Sequence, residues 1–234
     1  MSDEWQRDEM VQEVDALQTA GWIVQRMGRP FDGTVHSILP DGFDAYARIF
    51  HPAVIWDGSN AVPVSWSRVA ESTGSTVHPA MNWESIYRLE STLRVDDAPS
   101  LGCLPRQVRR DLTSILSRFT ADREDCFFAF WEGNFDEGEF AAGGKFVLNS
   151  GRSYYLFEGP VTRSDHLFEG ESPNMWWPRD AEWIVSTDID LMSTFVGGSE
   201  SCIAQIVESK DIEALRVEIS QSITSSSDLI NRRR

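Results

Sequence analysis

Lysine is almost missing from this chain. Lys145 and Lys210 stand against nineteen arginines, a bias that reflects GC-rich coding rather than chemistry. Cysteine is equally sparse. Cys103, Cys126 and Cys202 are odd in number and form no C-x-x-C pair, which excludes a disulfide scaffold and a zinc ribbon. No apolar run approaches the ~18 residues of a membrane span. The opening Met1-Ser2-Asp3-Glu4-Trp5 is too acidic and polar for a secretory signal, so no membrane partner and a cytoplasmic location with reduced thiols are expected. Also missing are the G-x-S-x-G elbow, the P-loop, H-E-x-x-H and G-x-G-x-x-G. Basic residues number 21 against 37 acidic ones, a net charge of −16. That balance repels phosphate backbones and excludes nucleic acid as an expected partner. Basic proteins, cations and neutral small molecules remain.

What is present fits a globular chain. Its 234 residues are 41% hydrophobic and 25% charged, and it includes nine tryptophans. A chain of this length buries roughly 70% of its unfolded surface without staples. The expected architecture is a single α+β domain over residues 1–219: a mostly antiparallel, twisted sheet with helices packed to one side. Residues 220–234, polar and ending in Arg232-Arg233-Arg234, are expected to be a disordered tail.

Periodicity places the elements. Trp5, Met10, Val14 and Leu17 make a helical stripe over 3–19 that Gly21 should stop, and 22–27 then reads as a strand. Val35–Leu39 reads as a second strand. Residues 43–56 fit helix or strand, with strand favoured by Val54-Ile55-Trp56. Ser65 should cap a short helix ended by Gly74, and 82–89 should form another. Pro105 opens a helix to about Phe119, with Val108, Leu112, Ile115 and Leu116 inward and Arg106, Arg109 and Arg110 away from that face. Cys126–Trp131 is a strand buried on both faces. Lys145–Leu148 and Tyr154–Phe157 flank a turn and form a hairpin. Strands at 183–187 and 215–219 bracket a helix that starts at Ser199 or Glu200.

The candidate binding residues are Trp176, Trp177, Asp188, Asp190, Gly197 and Gly198. Trp176 and Trp177 follow Ser172-Pro173-Asn174 and read as loop, so one indole of the pair should be exposed for contact. Gly197-Gly198 before a helix offers free N–H groups to an anion. His51 and His78, each before a proline, are the candidate catalytic bases beside a carboxylate. Their spacing supports no metal site, and no cofactor is expected. The acidic segment 132–139 lacks the calcium-loop pattern and reads as a hairpin loop suited to a basic partner.

Five stretches resemble a family of uncharacterised soluble proteins from GC-rich bacteria. They are Leu39–Pro52, Trp66–Ala70, Pro173–Pro178, Asp188–Asp190 and Ser193–Gly198, within residues 35–210. The resemblance implies no activity and carries over no catalytic residue. A second likeness, to the Smi1/Knr4-like superfamily, rests on an initial helix, a Leu-Pro segment with aromatics and the acidic charge. That superfamily includes toxin-immunity proteins, so the likeness implies an inhibitor of a basic partner. The leading expectation is a non-catalytic binding protein. A small hydrolase using His51 or His78, and an immunity-like inhibitor, are its alternatives.

Overall fold

The computed structural model describes residue 5 and residues 13–87, 92–136 and 144–231. Helix α1 spans Glu13–Arg26. Strands β1 (Ala45–Phe50), β2 (Ala53–Asp57) and β3 (Asn60–Val64) follow, then helices α2 (Trp66–Thr73), α3 (Trp83–Ile86) and α4 (Arg106–Leu116). The second half supplies β4 (Cys126–Trp131), β5 (Lys145–Val147), β6 (Ser153–Gly159), β7 (Met175–Pro178), β8 (Ile184–Ser186) and β9 (Ser193–Gly198). Helix α5 (Glu200–Val207) and β10 (Ala214–Val217) complete it.

Eight strands form one sheet in the order β10-β1-β9-β8-β7-β4-β6-β5, and every pairing among the described residues is antiparallel. Hairpin β2–β3 stands apart as a two-stranded sheet. The molecule is thus a single α+β domain. Alternation along each strand sends residues to opposite faces. Phe128, Phe130, Trp176, Val185 and Val196 meet α4 and α5 on one side. Phe127, Ala129, Trp177, Ile184 and Phe195 share a second core with α1 on the other. A third cluster joins Phe50, Trp66, Trp83 and Ile86 beneath the hairpin.

Local signals explain the well-placed helices. Ser65 Oγ accepts from the Arg68 N–H at 3.2 Å, and Gly74 closes α2 in the left-handed conformation. Ser199 likewise caps α5 through the Cys202 N–H. Cys126 and Cys202 are buried free thiols, and burial pushes both up to about 12.

Several expectations are corrected. Residues 22–26 continue α1 instead of forming a strand, because Ala16, Ala20 and Ile23 make its inward stripe. The two alanines let the helix approach the sheet closely. Gly21 lies within the helix with open space where a Cβ would stand. Leu17, expected inward, is exposed. Val35–Ser37 is a 3-10 turn, not a strand. Helix α3 ends at Ile86, with Tyr87 extended after it. Arg109 points inward, where its Nη1 donates to the Leu104 carbonyl at 2.8 Å. Burial lowers its pKa.

The tail from 220 is ordered through residue 231. Thr34 bridges Ser222, the Ile223 N–H donates to the Gly33 carbonyl at 2.8 Å, and Asp228 is fully buried. Met10, residues 137–139 of the acidic segment, the end of the 82–89 helix and the three terminal arginines lie outside the described residues, while Glu132–Asn134 form a 3-10 turn.

Candidate functional site

A cavity of about 230 Å³ opens on the α1 side of the sheet. Its floor starts where β7 begins and β8 ends. Met175 and Ser186 are direct cross-strand partners there, and both face the cavity. Tyr154 from β6 and Leu148 just after β5 extend the floor. Met27 at the end of α1, Phe31 and Ile38 form one wall. Ile223 and Thr224 of the C-terminal segment form another. Backbone bonds to Gly33 and Val35 and the Asn82 amide hold that segment, and one carboxylate gathers its end. Asp228 accepts from the backbone N–H groups of Ile230 and Asn231, pairs with His78 Nε2 at 2.9 Å and accepts from the Asn82 N–H at 3.3 Å.

Charge is concentrated at the cavity rim. Arg152 donates from Nη1 to Asp188 at 2.5 Å and from Nη2 to Asp190 at 2.9 Å. Burial works against its charge, but the two carboxylates outweigh burial and raise the guanidinium pKa. The Tyr154 phenol is pushed up to about 12 by burial and by the Asp188 charge, so it stays protonated. Ser186 is buried, and its hydroxyl makes no hydrogen bond to another described residue. The arrangement offers an apolar floor, a neutral phenol, several hydroxyls and a guanidinium held between two carboxylates. Such a set orients a small ligand.

Phe31 stands at the mouth, 71% exposed. Its φ of 57° lies in the left-handed region, a sparsely populated conformation for a bulky residue. Arg152 lies 5.8 Å from its ring. Two glycines have specific packing reasons here and nearby. Gly102 has φ 68°, and a Cβ there would lie 2.9 Å from the Ile189 backbone, between the two rim aspartates. The Gly102 N–H also donates to the Leu191 carbonyl at 3.0 Å. A Cβ on Gly197 would lie 2.7 Å from the Phe43 ring.

Of the residues singled out in the sequence, Asp188 and Asp190 belong to this site. The others do not. Trp176 and Trp177 form a strand, not a loop, and both are fully buried. Alternation does send them to opposite sides, but both sides of the sheet are covered. Neither indole can act as an exposed anchor. Gly197 and Gly198 lie inside β9 opposite Tyr46 and Ala45, not in a turn, and Gly197 also pairs with Ile184 of β8. They form no open anion cradle.

His51 is fully buried. One ring nitrogen meets the Ser100 carbonyl at 2.7 Å and the other Thr194 Oγ1 at 2.9 Å. Burial lowers its pKa to about 4, so it is neutral and saturated. His78 is occupied with Asp228 and Asn231. Neither histidine lines the cavity. Among the described residues no group of three or more histidine, cysteine or carboxylate side chains could hold a metal ion.

Sequence reasoning missed Arg152, Tyr154, Met175 and Phe31 as site residues. Arg152 lies in a segment that reads only as a hairpin connector, and its partners are 36 and 38 residues away. Among the described residues no helix is long and apolar enough to cross a membrane. Comparison with protein-family models, with curated proteins and with solved structures returns no match.

Proposed function

We propose that this chain is a non-catalytic binding protein that holds one small, ring-sized molecule in the Arg152 cavity. The observation that carries the reading is the lining: Met175, Leu148 and Ile38 around one neutral phenol and several serine and threonine hydroxyls, with Arg152 held between two rim carboxylates. Apolar cavities of roughly 150 Å³ accept benzene, so about 230 Å³ suits one ring and a short polar arm. The cavity contains no histidine or cysteine, so its hydroxyls lack the imidazole base that a hydrolase reading requires. Free thiols at Cys103, Cys126 and Cys202 suit a reducing, cytoplasmic setting. The −16 charge argues against nucleic acid as a partner.

Calorimetric melts test this reading. With 2-phenylethanol at ten times its Kd, wild type should gain about 1.4 kcal/mol. For a domain of this size that raises Tm by about 3–5 °C. Ser186→Phe, which fills the floor, should melt cooperatively and lose the ligand response. Equal responses from both proteins, or none from either, would reject the cavity as the binding site.

A further inference from the structure

The sign of charge at the rim narrows the ligand class. We infer that the cavity prefers a small aromatic amine, its ring inside and its ammonium group at Asp188 and Asp190. This rests on the cavity being the binding site. Two carboxylates face one guanidinium, so the rim carries one net negative charge. The loop over the mouth adds Arg29 and Asp32, one of each sign and close enough to interact, and does not alter the balance.

Access favours a cation as well. The Asp190 side chain is 74% exposed, so an incoming N–H donor can reach it without breaking the Arg152 pair. An anion at Arg152 would meet the two carboxylates already held on Nη1 and Nη2, and their charge repels it. The protein's −16 charge raises the local concentration of cations and depletes anions. The apolar part of the ligand meets Met175, Leu148 and Tyr154 on the floor. Methionine sulfur and aromatic edges favour a flat ring over a branched chain of equal size. Phe31 supplies a second ring at the mouth. Ring and ammonium are therefore recognised at opposite ends of one short site.

A matched series decides the matter: 2-phenylethylamine, 2-phenylethanol and phenylacetate, titrated into the full chain and followed by NMR shifts of the cavity methionine methyls. The amine should bind about fivefold more tightly than the alcohol, the scale of one partly exposed ion pair. Phenylacetate should bind more weakly than either. In Asp190→Asn the amine-to-alcohol ratio should fall close to one while alcohol binding persists. Far-UV circular dichroism checks that this exposed substitution leaves the fold intact. Equal binding of amine and alcohol in wild type, or an unchanged ratio in Asp190→Asn, overturns the amine preference and leaves the cavity reading standing. If none of the three probes shifts the Met27 and Met175 methyls, the cavity reading fails, and the amine preference with it.

Discussion

Replacing Trp176 or Trp177 by alanine should cost the fold nearly equally. The two indoles are adjacent in β7 and face opposite cores. Trp176 packs with the α4–α5 side, and Trp177 lies against Phe127, Phe146 and Trp22 at ring distances of 5.9, 6.2 and 6.5 Å. A fully buried indole removes roughly 200 Å² from water, worth about 5 kcal/mol at 25 cal/mol/Å². Each alanine variant should therefore lose about 3–5 kcal/mol, the usual range for buried Trp→Ala. The double variant should lose about 6–10 kcal/mol, as much as the whole stability of a typical domain. Trp176→Phe should lose far less than Trp176→Ala. Its Nε1 is buried without a partner among the described residues, so the phenyl ring removes an unsatisfied donor while keeping most of the packing. Urea melts followed by circular dichroism avoid the altered fluorescence. A loss under about 1 kcal/mol in either alanine variant would refute the two-core account.

His51 gives a pH signature. Its folded pKa of about 4 lies below the unfolded value near 6.5, so the unfolded chain binds the extra proton between those limits. Stability should fall by about 3 kcal/mol as pH drops through that window, and urea melts of His51→Gln should show a correspondingly shallower pH dependence. Asp228 should stabilise the C-terminal segment above the unfolded carboxylate range and release it as pH falls. Burial opposes its charge, but the Asn231, His78 and Asn82 hydrogen bonds hold its pKa below the usual value. Asp228→Asn should cost about 1–3 kcal/mol at pH 7 and speed proteolysis after Ile219, measured by mass spectrometry of the cleavage products. Gly102→Ala should displace the 188–190 loop, since the new Cβ meets backbone, and cost about 1–3 kcal/mol in urea melts while weakening ligand binding.

The parts of the fold legible in the sequence are those with local causes. The doubly apolar strand at 126–131, the hairpin that follows and the Ser65 and Ser199 caps depend on neighbours in the chain. The segment at 22–27 misleads because Trp22-Ile23-Val24 is β-like in composition. Its helical state comes from packing of Ala16, Ala20 and Ile23 on the sheet. Ordering of 220–231 depends on partners far back in the chain: Gly33 and Val35 through their backbone, and His78 and Asn82 through the Asp228 carboxylate and the Asn82 amide. At the site, Asp188 and Asp190 stand out in the sequence as a closely spaced acidic pair. Arg152 is invisible as their partner until β6 and β8 are placed in one sheet.

The most direct test of the central claim is a crystal structure of the protein grown with 2-phenylethylamine. The account predicts ligand density inside the cavity, with the ring between Met175 and Leu148, the nitrogen within hydrogen-bond distance of Asp188 or Asp190, and Arg152 still paired. Density for the amine elsewhere on the surface with the cavity free of it, or a broken Arg152 pair with the nitrogen far from both aspartates, would contradict it.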